Sequence, residues 1–450
     1  MSAADAVTDA LRDLHKRFMD VREGQRADYI PELTRSDARD FGLALVSMDG
    51  HRYSAGAADT PFTMQSVSKP FVYALALSSL GLDEVGRWVG AEPSGEAYNA
   101  ISLEPGTGRP ANAMVNAGAI VTTALVPDTQ QAPAFTRILT TLSRFAGRNL
   151  DVDEDVYASE AATGDRNRAL AYLIRSTGVL PADPVAAVDT YFRQCAVRAT
   201  AVDLAVMAAT LAHGGVNPVS GEAVVSADVA AQVLAVMATC GMYNASGEWL
   251  LRVGLPAKSG VSGGLIAAGP ARFGLATYSP LLDAAGTSVR GRDALGALSE
   301  RLGLHLMKNP ALPGSTVTLA TTADVLPSAP AGREERALRE RVGVVAAQGA
   351  LDFTAVERVL HAMDESGPER AGPVVLDLRE VTGADAAALA LLHAGLARLA
   401  REGRRLAVVD PGGRLGPPDL VRGRTGRDLP RHSSREEAVE HCAQDLAGPA

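Results

Sequence analysis

The sequence predicts two domains of different fold class, an α+β body over residues 1–310 and a small α/β domain over residues 334–445. A chain of 450 residues exceeds the length that one hydrophobic core usually serves. The segment "NPALPGSTVTLATTADVLPSAPAGR" is rich in Pro, Gly, Ser and Ala and lacks sustained periodicity, which predicts a linker at 311–333. The pattern of helices and strands also changes across this segment. We therefore expect a domain boundary there.

The first domain combines strand-like runs with long helical stretches. "GLALVSMDG" and "HRYSAG" predict two strands around a turn at Asp49-Gly50. "ATAVDLAVMAATLAHGG" and "SADVAAQVLAVMATCG" predict buried helices, each followed by glycine. Within the predicted linker, "STVTLATT" is compatible with a short strand.

After the linker, strands and helices alternate. "RVGVVAAQGAL" predicts a pair of strands, "TAVERVLHAMDESG" an amphipathic helix and "PVVLDL" a buried strand. "DAAALALLHAGLARLAREG" predicts a helix that ends at Gly403, and "RRLAVVD" the next strand. Such alternation predicts a small α/β domain with largely parallel strand pairing.

Composition and charge exclude several classes of protein. The net charge of −9 argues against sequence-independent nucleic-acid binding, and no uncharged apolar run is long enough to predict a membrane span. The first residues lack the apolar region of a secretory signal. Three widely spaced cysteines predict no disulfide framework and fit a reducing cytoplasm. No Cys or His pair has zinc-site spacing, so we expect no structural metal.

The stretch "MQSVSKPFVYALAL" places Ser66 three residues before Lys69 at the start of an apolar helix. Positions i and i+3 share a helix face, and Pro70 suits the first helical turn. Burial could depress the lysine pKa, so that Lys69 accepts the Ser66 proton. The alternative is a serine that caps a buried helix. This pair alone does not decide between the two interpretations.

A second stretch, "GLPAKSGVSGGLIAAGP", places Lys258-Ser259-Gly260 at the head of a glycine-rich strand-like run. Serine acyl-transfer enzymes of the penicillin-binding and β-lactamase type combine an S-x-x-K helix with a K-T-G strand. There, the second lysine supplies positive charge and the strand backbone supplies an oxyanion donor. The alternative for this stretch is a turn before a strand.

With these motifs in view, the chain from about residue 20 to 310 resembles the serine-dependent glutaminase family. The resemblance is carried by these blocks: "ADYIPEL", "MQSVSKPFVYALAL", "VGAEPSGEAYNAI", "NAMVNAGAIVTTAL", "SEAATGDRNRALAYL", "VMAATLAHGGVNPVSGE", "TCGMYNASGEW" and "GLPAKSGVSGG". It implies a β-lactamase-like fold, with helices flanking an antiparallel sheet. It also implies hydrolysis of L-glutamine to L-glutamate and ammonia without a cofactor, in a homodimer or homotetramer.

The same resemblance implies the catalytic roles. Ser66 would attack the side-chain amide carbonyl, and Lys69 would activate it. Tyr243 would assist proton transfer to the departing ammonia, and Tyr29 would lie beside the reacting group. Within "CGMYN", the alternative for Tyr243 is a simple loop position.

The resemblance also implies the substrate-binding residues: Ser66, Asn116, Glu160, Asn167, Tyr191, Tyr243 and Val261, with Lys258 as a possible supporting residue. A carboxylate at Glu160 suits an α-ammonium, while Asn and Tyr donors suit an α-carboxylate. The backbone N–H of Val261 would complete an oxyanion hole with that of Ser66. The alternatives are a solvated acid for Glu160, turn positions for the asparagines and a core position for Tyr191.

Residues from about 335 to 443 resemble a STAS domain, through "GVVAAQGALDFTAVERVL" and "VVLDLREVTGADAAALALLHAGLARLAREGRRLAVVD". The position after the loop aspartate is often a phosphorylatable serine in switching members of that family. Here, Asp385 is followed by Ala386, which argues against that switch. We expect the domain to serve docking, assembly or ligand sensing. "VRGRTGRDLPRHSSR" is either a docking patch or a solvated loop.

The leading hypothesis is thus a cytoplasmic glutaminase with an appended regulatory domain. Within the enzyme class, the alternative is a β-lactamase or peptidase. From a different class, the alternative is a STAS-bearing signalling scaffold whose N-terminal domain is inactive. Ammonia release from amino-acid amides distinguishes these three hypotheses.

Overall fold

The computed structural model describes the following residues: 5–95, 103–302, 304–307, 317–322, 341–351, 353–366, 372–384, 386–416 and 429–447. The chain folds into two compact units, Met1–Lys308 and Asn309–Ala450. No helix among the described residues is both long and apolar enough to cross a bilayer.

The strands of the first unit are short. They are β1 (Gly42–Ser47), β2 (Arg52–Gly56), β3 (Phe62–Thr63), β4 (Arg198–Ala199), β5 (Ala257–Ser259), β6 (Gly264–Gly269) and β7 (Phe273–Tyr278). Within the described residues, five of them form an antiparallel sheet in the order β2-β1-β7-β6-β5. The predicted β1–β2 hairpin is confirmed, and Gly50 takes a positive φ of 80° in its turn.

The helices of the first unit lie before, between and after these strands. They are α1 (Asp5–Phe18), α2 (Lys69–Leu80), α3 (Leu82–Trp88), α4 (Asn116–Ala124), α5 (Ala134–Ala146), α6 (Glu154–Thr163), α7 (Asp165–Ser176), α8 (Pro184–Cys195), α9 (Ala201–Ala212), α10 (Ala227–Cys240), α11 (Ser246–Arg252) and α12 (Val289–Leu302). Both predicted Ala-rich helices are confirmed as α9 and α10, and α9 packs against the sheet. Gly274 permits this packing, because a Cβ there would clash with the backbone of Ala205 and Ala209.

Side chains alternate between the two faces of the sheet, so helices cover both. In β1, Ala44 and Val46 join the large core formed with α2, α4, α5, α8, α9 and α10. Leu43 and Leu45 instead face a second core that includes residues of α1 and α12. Because strand side chains alternate with a period of two, the side chains of one short strand pack into both cores.

The predicted helix start at the serine–lysine pair is confirmed. A 3₁₀ turn, Gln65–Ser68, leads directly into α2 at Lys69, and Pro70 lies in the first helical turn. There its missing N–H breaks no helical hydrogen bond. The apolar residues after it are buried, and this fixes the serine–lysine turn against the main core.

The second unit is an α/β domain. Its elements are β8 (Val317–Thr322), β9 (Gly343–Leu351), α13 (Phe353–Glu365), β10 (Val374–Ala384), α14 (Ala386–Arg401), β11 (Leu406–Val409), β12 (Arg431–His432) and α15 (Arg435–Ala447). The described strands form a sheet in the order β12-β11-β10-β9-β8. Strands β9 to β12 pair in parallel, as predicted, and β8 pairs antiparallel with β9 at one edge.

Some details differ from the sequence predictions. "RVGVVAAQGAL" forms the single strand β9, so the predicted strand pair is wrong. Its residues remain extended without a turn because β10 and β8 flank it on both sides. The short strand indicated by "STVTLATT" within the predicted linker, 311–333, is present as β8. Asp385 lies outside the described residues, and Ala386 is the exposed first residue of α14.

Candidate active site

The 3₁₀ turn that carries Ser66 has an unusual backbone. Gln65 takes a φ of 47°, in the left-handed region that non-glycine residues seldom adopt. Gln65 and Ser66 are both almost fully buried. Strain of this kind persists only where surrounding contacts hold it, and it is common at functional sites. The serine is therefore presented by a constrained turn rather than by a regular helix.

Ser66 and Lys69 are in direct contact. The Lys69 Nζ lies 2.9 Å from the Ser66 Oγ and 2.6 Å from the Asn116 Oδ1. The lysine side chain is fully buried, and burial lowers its pKa from 10.5 to about 8. A substantial neutral fraction therefore exists near physiological pH, as a base for the serine hydroxyl requires.

Asn116 connects this pair to two more of the predicted residues. Its Nδ2 donates to the Asn167 Oδ1 at 3.1 Å, and its Oδ1 accepts from the Tyr191 hydroxyl at 3.4 Å. Asn116 is the first residue of α4, Asn167 lies in the first turn of α7, and Tyr191 lies on α8. Three helices thus bring their polar groups to the serine.

Glu160 lies on α6 and is held by Gln65, whose Nε2 donates to the Glu160 Oε2 at 3.3 Å. Burial raises the pKa of Glu160 to about 8, although the Gln65 amide and the positive charge of Lys69 oppose the shift. A carboxylate without a bound cation in such a site is costly. An ammonium group placed there would form a strong ion pair with the Glu160 carboxylate.

Two further predicted residues, Tyr243 and Lys258, lie in contact with each other. The Lys258 Nζ lies 4.0 Å from the centroid of the Tyr243 ring and donates to the Ser259 carbonyl at 2.7 Å. The Lys69 Nζ lies 5.8 Å from the same ring. Burial, together with the charge of Lys69, lowers the pKa of Lys258 well below its ordinary value. Tyr243 has a φ of 56°, so its backbone is also constrained.

The segment that carries Val261 packs against the serine turn. The Ser262 hydroxyl donates to the Thr63 carbonyl at 2.6 Å. A Cβ on Gly260 would lie 2.9 Å from the Met64 carbonyl oxygen, so only glycine allows this approach. Val261 and Tyr29 both line a cavity of about 580 Å³, in which Tyr29 is half-exposed. A larger cavity, of about 740 Å³, is lined by none of the predicted site residues.

Two residues of this region were not predicted. Gln65 escapes sequence analysis because a left-handed conformation at glutamine has no sequence signature. Gln194 is completely buried and bonds to the hydroxyls of Ser68 and Thr123. The sequence did contain a signal for Gln194, because this residue follows the predicted Tyr191 by three positions and therefore shares its helix face. Among the described residues, no cluster of His, Cys, Asp and Glu is arranged to hold a metal ion.

Comparisons with known proteins match both units. The profile of the glutaminase family matches residues 24–307, and that of the "Mlab, STAS domain" family matches residues 335–416. The chain is 42% identical over 404 residues to a glutaminase of Corynebacterium glutamicum, covering 88% of this chain and 93% of that protein. It is 47% identical over 398 residues to Glutaminase 2 of Bradyrhizobium diazoefficiens. That match covers 86% of this chain, and the chain spans only 63% of that relative's length.

Solved structures match as well. A crystal structure of Mglu has a TM-score of 0.79 at 41% identity, covering 90% of this chain and 98% of that one. A crystal structure of Mglu in its glutamate form has a TM-score of 0.78 at 38% identity, with coverage of 90% and 98%.

The sheet between helical layers and the serine–lysine turn at a helix start define a protein of the β-lactamase-like fold, as predicted. Within that class, the chain belongs to the glutaminase family. Its second unit carries a STAS domain. Both resemblances drawn from the sequence are confirmed.

Proposed function

We propose that this protein hydrolyses L-glutamine to L-glutamate and ammonia through an acyl-enzyme on Ser66. The observation that carries the proposal is the 2.9 Å contact between the Lys69 Nζ and the Ser66 Oγ, in a chain of the glutaminase family. Neutral Lys69 takes the hydroxyl proton as the Oγ attacks the side-chain amide carbon. This attack produces a tetrahedral oxyanion.

The backbone N–H groups of Ser66 and Val261 stabilise that oxyanion. The packing of residues 260–262 on the serine turn supports this role. Loss of one such donor typically slows an acyl transfer about 10²–10³-fold. When the oxyanion collapses, the C–N bond breaks and the nitrogen takes a proton through the Tyr243 hydroxyl, leaving as ammonia. Water then hydrolyses the γ-glutamyl ester, which releases glutamate and restores the Ser66 hydroxyl.

Substrate selection rests on the two ends of a free amino acid. Glu160 binds the α-ammonium, and the polar groups of Asn116, Asn167 and Tyr191 bind the α-carboxylate. The buried Glu160 supports this assignment, since burial raises its pKa and a bound cation would favour the ionised carboxylate. Lys258 supports the site by packing on the Tyr243 ring. Tyr29 would lie beside the reacting group, and its place in the same cavity as Val261 supports this.

The test is ammonia release from a panel of free amino-acid amides and peptide amides. Wild type should act on L-glutamine, and Ser66→Ala should lose at least about 10³-fold in kcat because the nucleophile is absent. Ser299→Ala is the matched control. It removes a buried hydroxyl on α12, which donates to the Val253 carbonyl away from the site, and should retain activity. Undiminished turnover by Ser66→Ala would refute the mechanism, whereas no turnover of any amide by wild type would favour an inactive scaffold.

We further propose that the chain acts in the cytoplasm as a homodimer or homotetramer. All three cysteines are buried thiols, which suits a reducing compartment. The STAS domain would bind an unidentified protein or ligand and regulate or assemble the enzyme. Light scattering of the full chain, and of a chain that lacks residues 309–450, tests the oligomeric state and the contribution of this domain to it.

A further inference from the structure

A line of buried hydrogen bonds runs beneath the serine turn from helix α4. The Thr123 hydroxyl donates to the Gln194 Oε1 at 2.7 Å, and the Gln194 Nε2 donates to the Ser68 Oγ at 3.0 Å. The Ser68 hydroxyl then donates to the carbonyl oxygen of Gln65 at 2.7 Å. Thr123, Gln194 and Ser68 are each at most 1% exposed, so water does not compete for these bonds.

The direction of every bond in this line is determined. The Gln65 carbonyl can only accept, so the single hydroxyl proton of Ser68 points to it. Ser68 must therefore accept from Gln194, and this orients the amide with its NH₂ toward Ser68. The amide oxygen then faces Thr123, which must donate. The three side chains thus form one ordered line of donors that ends at the Gln65 carbonyl in the serine turn.

The end of this line is the strained residue before the nucleophile. Gln65 holds a φ of 47°, a conformation that is strained for a non-glycine residue. Its carbonyl is held by Ser68, and its side chain donates to Glu160. A change in the Gln65 backbone would displace both the adjacent Ser66 and the side chain that orients Glu160.

A hydroxyl that bonds to the carbonyl three residues earlier is common in helical turns and need not have a function. Two features distinguish this case. The accepting carbonyl belongs to a left-handed residue, and Ser68 is itself oriented by an amide from another helix that also carries Tyr191.

We propose that Gln194, acting through Ser68, is a positioning residue that holds the Gln65 turn in the conformation presenting Ser66 to Lys69. This inference rests on the proposed function. Neither Gln194 nor Ser68 touches the reacting atoms in this scheme. Their effect on turnover arises only from the geometry of the turn.

The experiment compares Ser68→Ala, Gln194→Met and their double variant in the full chain, with L-glutamine as substrate. Each single variant should lower kcat about 10- to 100-fold, the range typical of small misplacements of a reacting group. The double variant should be no slower than the slower single variant, because the two residues act in one line. Effects that simply multiply in the double variant would overturn the proposal.

Stability is separated from positioning by two further variants. Ser68→Ala/Gln194→Met/Thr123→Val removes the three polar side chains of the line together, so that of its groups the Gln65 carbonyl alone loses a donor, and should recover part of the melting temperature that the single variants lose. Its kcat should nevertheless stay low. Thr210→Val is the matched control. It removes a completely buried hydroxyl on α9 that donates to the Val206 carbonyl, and should keep wild-type kcat.

A triple variant that regains kcat together with its melting temperature would show a merely structural role and overturn the inference. If the single variants fail to fold, the triple variant still decides the question. Failure of the proposed function is distinguishable, because wild type would then release no ammonia from L-glutamine, or Ser66→Ala would remain active. Wild-type kcat in Ser68→Ala, with Ser66→Ala inactive, would reject the positioning role alone.

Discussion

The buried Lys69 makes turnover depend on pH in a way that can be calculated. Its pKa is lowered from 10.5 to about 8 because burial disfavours the ammonium form. In the proposed mechanism, only neutral Lys69 can accept the Ser66 proton. The neutral fraction is about one tenth at pH 7 and about nine tenths at pH 9. At the ordinary pKa, it would be about 0.03% at pH 7, so burial increases the reactive form about 300-fold.

The expected kcat therefore rises about tenfold from pH 7 to pH 9 and levels off above pH 9. The ratio kcat/KM should rise more steeply with pH than kcat does. In the free enzyme, Glu160 also has a pKa raised to about 8, and it must be ionised to bind an α-ammonium. Two ionisations are then needed, so log kcat/KM should approach a slope of about 2 below pH 8, whereas log kcat has a slope of about 1.

The assay is direct quantification of ammonia in quenched samples between pH 6 and pH 9, at saturating and at low L-glutamine. Circular dichroism over the same range controls for unfolding. A kcat that is constant or falls with rising pH would refute the role of Lys69 as the base. Equal slopes for kcat and kcat/KM would refute the role given to Glu160.

Three further predictions concern single features. Glu160→Gln should be more stable than wild type at pH 8, by on the order of a few kcal/mol, and nearly equal at pH 4.5. Because folding raises this pKa, wild type loses stability as pH rises from 4.5 towards 8; denaturant unfolding with no difference at pH 8 would contradict this. Tyr243→Phe, which keeps the ring over Lys258, should lower kcat on glutamine about 10²-fold or more. The γ-p-nitrophenyl ester of L-glutamate, whose phenolate leaves without being protonated, should lose far less kcat, and equal losses on both substrates would exclude proton transfer by Tyr243. A truncated chain, residues 1–308, should fold and keep wild-type kcat, since the first compact unit ends there; an insoluble or inactive product would show that the two units depend on each other.

The sequence alone determined the local features of the fold. Proline can begin a helix but not continue one, so Pro70 located the start of α2 and placed Ser66 beside Lys69. Alternation of strands and helices identified the second unit. The prediction failed at "RVGVVAAQGAL", because nothing within that run says that strands on both sides keep it extended.

Only the tertiary structure decided the electrostatics and the strain of the site. The low pKa of Lys69 and the high pKa of Glu160 follow from burial, which depends on helices distant in the sequence. The left-handed conformation of Gln65 has no local signature, and the hydrogen bond from Gln194 to Ser68 joins residues far apart in the sequence. A motif can bring a serine and a lysine together, because they share a helix turn. The protonation state of the lysine is set by what packs around it.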